Sequence, residues 1–179
     1  VEAEVAAESV SEETAALLVE PIQSLGGVRV IPPEWLAQMA SACRNHGSLL
    51  IFDEVQLGLG RTGRFLYSGI NGTYPDMVTL AKGIASGIPA SAILVTEDLA
   101  KSVKSGDLGT TFGGGPLACS CIEATLDVIR REDLLTNVKR VSAYLKDELR
   151  GFPFVEEIRG AGLLLGLRFA EPWTRAKTM

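Results

Sequence analysis

The 179-residue chain contains one histidine and three cysteines. Three cysteines cannot build a disulfide framework, and Cys119 and Cys121 stand too close for a zinc knuckle or a redox pair. They read as small thiols kept in a reducing compartment, which points to the cytoplasm. No apolar run approaches the roughly 20 residues of a membrane span. Basic charge is also short: 17 Lys and Arg stand against 22 Asp and Glu, for a net charge of −5. Neither nucleic acid nor an anionic membrane is an expected partner. Aromatic residues make up only 6% of the chain. What remains is ordinary globular composition, 46% hydrophobic and 22% charged, enough for a packed core and too apolar for disorder. The acidic, Ala-rich opening VEAEVAAESVSEE is the reverse of a signal or transit peptide. The chain begins at Val1 in a helix-prone run and stops at Met179 soon after GLLLGLRF, so both ends read as interior to a longer sequence.

Short apolar runs at 15–19, 48–52, 77–81 and 91–95 read as buried strands. Helices are expected over residues 2–9, from Pro32-Pro33 to a C-terminal Gly47, and over 116–131 and 134–150. The last of these carries Leu135, Val138, Val141, Leu145 and Leu149 on one stripe. Two late strands, 154–158 and 163–169, form a hairpin through RGAG. Apolar strands alternating with helices predict an α/β fold with a mainly parallel sheet covered on both faces. Ligands bind such sheets beyond the carboxyl ends of the strands. Three of those ends carry charge: Glu20, Asp53 and Lys82.

A lysine at a buried strand end loses hydration, which frees its amine as a nucleophile. An acid closing an apolar strand serves as a cap, a metal ligand or a cofactor contact. His46 lies at a helix end, away from Asp53 and Glu54, so the chain offers no hard-ligand cluster and no metal is expected. A Schiff-base lysine with an acid facing a heterocycle nitrogen is the pairing that pyridoxal phosphate requires. No Gly-x-x-x-x-Gly-Lys-Ser/Thr and no helix-opening Gly-x-Gly-x-x-Gly is present, which removes the nucleotide-binding reading.

Four ordered blocks, VEPIQSLGGV, LLIFDEVQLGLGRTGRF, PDMVTLAKGIASGIP and GTTFGGGPLACS, resemble the class III, ornithine-type aminotransferases. The resemblance runs from about residue 14 to residue 169. RGAGLLLGLRF and the GTTFGGGPLAC block look most like the acetylornithine branch. It implies a fold-type-I pyridoxal-phosphate transferase. Residues 1–115 would be part of the cofactor-binding large domain, 116–150 connecting helices, and 151–179 the start of a smaller α+β C-terminal domain. It implies a transaminase that moves an amino group from an acetylornithine- or ornithine-like amino acid to a 2-oxo acid, 2-oxoglutarate. The working form would be a homodimer with shared active sites.

By the same resemblance Lys82 is the Schiff-base lysine and proton shuttle, and Asp53 the carboxylate on the pyridine nitrogen. Val55 packs a ring face and Gln56 lies near the ring hydroxyl. Thr111 reaches the cofactor phosphate of the neighbouring subunit. Glu20 sits at the cofactor edge, a position whose glutamate in several members of the family pairs with an arginine near the substrate carboxylate. Val55 also reads as plain core, and Thr111 as part of a glycine-rich turn before a helix. Arg61 in GRTG is either a phosphate contact or part of the loop's architecture, and Arg159 reads as a structural residue at a strand end. The chain departs from the family pattern at Gly115, where GGNP becomes Gly114-Gly115-Pro116. The upstream phosphate cradle and ring-stacking aromatic, and the downstream substrate arginine, are not in this sequence. The framework also hosts aminomutases and decarboxylases. A truncated, non-catalytic fragment or pseudoenzyme is the reading from a different class.

Overall fold

The computed structural model describes residues 3–111 and 113–171. A mixed sheet of four strands forms its centre, in the order β1 (Ala16–Val19), β4 (Leu49–Asp53), β5 (Met77–Leu80), β6 (Ala92–Val95). Strands β1, β4 and β5 are parallel, with Leu18 opposite Ile51 and Phe52 opposite Val78. β6 runs antiparallel to β5, pairing Thr79 with Ile93. The fold is thus the expected α/β arrangement with a mainly parallel sheet.

Helix α1 (Ala3–Glu8) packs on α2 (Pro33–His46), which connects β1 to β4. Prolines open α2, where a missing N–H costs nothing. Gly47 closes it in the left-handed conformation (φ 70°), its N–H turned back to the carbonyls of Arg44 and Cys43. Leu36, Met39, Ala40 and Cys43 form its buried stripe. Three of these pack with Val10, Val19, Leu50 and Phe52 into one core cluster. Phe52 is 0% exposed, and burying such a side chain is worth roughly 1.5–3 kcal/mol. Asp76 ties β5 to β4 at their starts: its Oδ2 accepts from Leu50 N at 2.8 Å, and its own N–H donates to Leu50 O at 2.8 Å.

The loop with Gly26 and Gly27 contains a two-residue antiparallel ribbon, β2 (Ile22–Gln23) with β3 (Arg29–Val30), which apolar patterning was too short to reveal. A short helix α3 (Glu97–Ser102), also not expected, follows β6. Helices α4 (Pro116–Arg131) and α5 (Leu134–Arg150) and the hairpin β7 (Val155–Ala161) with β8 (Leu164–Phe169) lie where the sequence puts them. The hairpin docks on the glycine turn: Arg159 Nη1 donates to Gly27 O at 3.2 Å. Leu164 joins Ile22, Leu57 and Tyr67 in a second core cluster.

One expectation fails. The sheet is not covered on both faces among the described residues. Leu18 is 60% and Ile93 64% exposed, and Leu94 and Val95 are exposed beside them. The reason is where the late helices go. α4 packs chiefly on the short 3-10 turn Lys82–Ala85 and α5 on β7, which leaves Ile93, Leu94 and Val95 of β6 exposed. No helix of the described residues is long and apolar enough to cross a membrane.

Candidate active site at the strand ends

Because β1, β4 and β5 are parallel and adjacent, their carboxyl ends lie side by side. Glu20 follows β1, Asp53 ends β4, and Lys82 follows β5 by two residues. The sheet therefore brings the three predicted charges to one edge. Asp53 is half-buried, and its Oδ1 accepts from Val55 N at 2.9 Å and Thr79 Oγ1 at 3.1 Å. Thr79 is the register partner of Asp53 on β5, so strand pairing itself orients the carboxylate. Both bonds go to one oxygen, which fixes the side chain and keeps Oδ2 out of this pairing.

Lys82 Nζ donates to Gln56 Oε1. Two residues read separately from the sequence are thus in contact, and Val55, Gln56 and Lys82 share the wall of one cleft. Val55 is half-buried there, so it is not sealed in the core. Lys82 corrects an expectation: its side chain is exposed, not buried at the strand end. Lys82 opens the 3-10 turn Lys82–Ala85, two residues beyond the end of β5. Its backbone is the more telling feature. Lys82 has φ +51°, in the left-handed region that a long L side chain rarely adopts. Strain of this kind costs about 1–3 kcal/mol and concentrates at functional sites.

Glu20 stands just beyond β1. Its Oε2 accepts from Ser24 N (3.2 Å) and Ser24 Oγ (2.9 Å), closing its own turn, and among the described residues it makes no ion pair with an arginine. Thr111 is exposed in the segment before α4 and does not line the cleft. Arg61 does line it, and its carbonyl accepts from Leu163 N at 2.9 Å, so this residue belongs both to the cleft wall and to the loop's architecture. Arg159 is structural, as read: it holds the hairpin to Gly27.

Sequence reading passed over Glu54. It is 1% exposed, the most buried charged side chain described. Tyr67 N donates to its Oε2 at 2.6 Å and Ser68 N to its Oε1. Its carbonyl accepts from Leu57 N and Gly58 N. Glu54 is the internal clamp of the loop that carries Gln56 and Arg61. The signal was present: two successive acids after an apolar strand cannot both face the site, since neighbouring side chains point to opposite faces.

The profile of the class-III aminotransferases matches residues 1–179. The chain belongs to that family. The class-III relatives include the acetylornithine aminotransferase of Mesorhizobium japonicum, 43% identical over 95% of this chain and 44% of its own length. That of Streptomyces coelicolor is 47% identical over 93% of this chain and 42% of its own. Among solved structures, an ornithine aminotransferase from Toxoplasma gondii, described with partial occupancy of pyridoxal phosphate at its active site, superposes with TM-score 0.82 at 38% identity. It matches over 94% of this chain and 40% of its own. The acetylornithine aminotransferase of Elizabethkingia anophelis gives TM-score 0.82 at 32% identity, over 95% of this chain and 44% of its own. The chain thus spans less than half the length of the relatives it matches.

Class-III aminotransferases are pyridoxal-phosphate enzymes, and the donor set here fits the ring end of that cofactor. A carboxylate pinned through one oxygen suits a protonated ring nitrogen. An exposed primary amine on a strained turn suits an aldehyde carbon. An amide already in contact with that amine suits a ring hydroxyl.

Proposed function

We propose that this chain carries the lysine and the carboxylate of an aminotransferase that moves an amino group from an acetylornithine- or ornithine-like donor to 2-oxoglutarate. The observation that carries the reading is the adjacency of Asp53 and Lys82 at the carboxyl ends of neighbouring parallel strands, with Gln56 in contact with the amine. The 43–47% identity to proteins named acetylornithine aminotransferase supports the choice of donor.

Bound pyridoxal phosphate would supply the electron sink for the pair released when a bond at the substrate carbon breaks. The chain's own residues do the rest. Lys82 Nζ would hold the cofactor at its aldehyde carbon and, when its amine is free, would take up and return a proton at the substrate carbon. Asp53 would face the cofactor's ring nitrogen and its charge would favour the protonated ring; Thr79 and Val55 N keep that carboxylate in place. Gln56 directs Lys82 and meets the ring hydroxyl without adding charge. Val55 contributes an apolar contact to one ring face. Glu20 borders the site from β1, where its engagement with Ser24 limits its reach.

Thr111 is exposed and lies outside this chain's own cleft, which favours a role at the phosphate of a neighbouring subunit and hence a homodimer. In the intact protein residues 1–115 would belong to the large domain, 116–150 would connect, and 151–179 would begin the small domain. The free thiols Cys43, Cys119 and Cys121 suit a cytoplasmic location.

The test is a coupled assay of the purified protein with pyridoxal phosphate, 2-oxoglutarate and N-acetylornithine or ornithine in turn. Glutamate formation that Lys82→Ala abolishes is the expected result. No glutamate from either donor, or turnover that survives Lys82→Ala, would overturn the reading.

A further inference from the structure

Lys82 is not the only strained residue of its turn. The 3-10 turn Lys82–Ala85 is bracketed by two non-glycine residues in the left-handed region, Lys82 at φ +51° and Ser86 at φ +48°. Neither residue type favours that conformation, so contacts outside the turn must hold both ends. On the inner side the hold is apolar. Ile84 and Ala85, 3% and 1% exposed, pack with Val78 and Leu80 of β5 and with Cys121 and Ile122 of α4. Apolar contact is non-directional. It presses the turn against α4 without fixing its rotation, and rotation decides where an exposed lysine amine points.

The directional contact comes from Ser86. Its Oγ lies 2.9 Å from Thr125 Oγ1 on α4. Thr125 Oγ1 already donates its proton to Cys121 O, one helical turn back, at 2.7 Å. A hydroxyl has one proton to give, so Ser86 is the donor of this pair and Thr125 the acceptor. The series Ser86 Oγ, Thr125 Oγ1, Cys121 O thus anchors the end of the turn in the backbone of α4. The same helix puts Ile129 in the cleft wall that Lys82 shares. The tether therefore joins two walls of the cleft, at the turn that carries the amine. At the other end of that turn, Lys82 Nζ contacts Gln56 Oε1.

We propose that Ser86 is a positioning residue for Lys82: by donating to Thr125 Oγ1 it ties the strained turn to α4 and sets where the amine stands in the cleft. The use made of that amine rests on the aminotransferase reading; the hydroxyl pair itself touches no reacting atom.

Two measurements on the purified protein test it. The first is hydrogen exchange without cofactor, followed by mass spectrometry. The second is the rate at which added pyridoxal phosphate is captured on Lys82, read as a visible band and as a borohydride-reduced adduct. Ser86→Ala keeps the Cβ and its backbone cost but removes the donor. Thr125→Val removes the acceptor from the other side. Each should raise exchange over residues 82–88 about threefold, as for one lost neutral hydrogen bond, and slow capture by about the same factor. Helix α2, which packs on β1 and β4, is the internal reference and should not change. The double variant should be no worse than either single one, because both break the same bond. Thr125→Ser keeps the hydroxyl and should match the unaltered protein. Unchanged exchange and capture in the single variants, additive losses in the double variant, or a Thr125→Ser protein as impaired as Thr125→Val would overturn the proposal. No adduct on Lys82 in the unaltered protein, with exchange still responding, would instead overturn the aminotransferase reading and leave the tether standing.

Discussion

Helices α2 and α4 both carry apolar stripes, yet they meet different surroundings. In α2, Leu36, Ala40 and Cys43 are buried against β1 and β4, and Met39 is buried beside them. In α4 no residue is buried; Ile122 and Cys121 lean, half-buried, on the cluster formed by Val78 and Leu80 of β5 with Ile84 and Ala85 of the lysine turn. A stripe becomes core only when a complementary surface is there to receive it. Around α2 the sheet supplies one, and the strands that carry Glu20 and Asp53 are set by it. Around α4 the described chain supplies the lysine turn, the edge of β5 and α5, and none of them seals a residue of the helix. The two halves meet at the cleft, where Gln56 and Lys82 face Ile129, Leu134 and Val138.

This contrast can be broken by experiment. The largest effect should come from Phe52→Ala, with a loss of about 3–5 kcal/mol in denaturant unfolding. Leu126→Ala, on the half-buried face of α4, should cost about 1 kcal/mol. Equal losses would mean that the helical half is packed as tightly as the sheet. Next is Asp53→Asn, which should lower turnover on the order of 10²–10³-fold, as for loss of one preorganised electrostatic group, with little change in melting temperature. A fall in melting temperature that matches the activity loss would make Asp53 a structural residue.

Glu54→Gln should cost about 1–3 kcal/mol, because an amide NH₂ would then face the Tyr67 or Ser68 N–H. The same change should reduce activity indirectly, through the loop that holds Gln56. Thr79→Val should cost about 0.5–1.5 kcal/mol and free the Asp53 carboxylate to rotate.

The smallest effect is on alkaline stability. Burial, with Asp76 adding and Arg44 opposing, raises the Cys43 thiol above its ordinary 9.0. Burial raises the Tyr67 phenol above 10.0, with Arg64 opposing and Glu54 adding. Both groups hold their protons more tightly when folded. Their contribution is therefore complete below the ordinary values and is lost as pH climbs through the raised ones. Melting temperature should fall progressively above about pH 9, and Cys43→Ala should remove the lower part of that fall. A flat profile to pH 11 would contradict it.

Much of this was legible in the sequence, and the exceptions have physical causes. Strands β1, β4 and β5 announced themselves as short apolar runs; the parallel pairing of β1 with β4 followed from the intervening α2, whereas β4 and β5 are joined by a loop that carries no α-helix. The placement of Glu20, Asp53 and Lys82 at one edge came with that pairing. The contact between Lys82 and Gln56 did not, since it depends on how a turn closes after the strand. The positive φ of Lys82 was invisible for the same reason: no residue type announces left-handed backbone at a lysine. Glu54 was hidden by its neighbour, because a string of letters does not say which of two acids faces inward. The exposure of Ile93 and Leu94 was misread because an apolar run reports the surface a strand can bury, not whether a cover is at hand.

The account stands or falls on where pyridoxal phosphate attaches. The direct measurement is visible absorption of the purified protein during titration with pyridoxal phosphate, followed by borohydride reduction and peptide mapping. The account predicts a saturable visible band and a reduced cofactor adduct on Lys82, both lost in Lys82→Ala. A band that persists in Lys82→Ala, or an adduct mapped to another lysine, would contradict it.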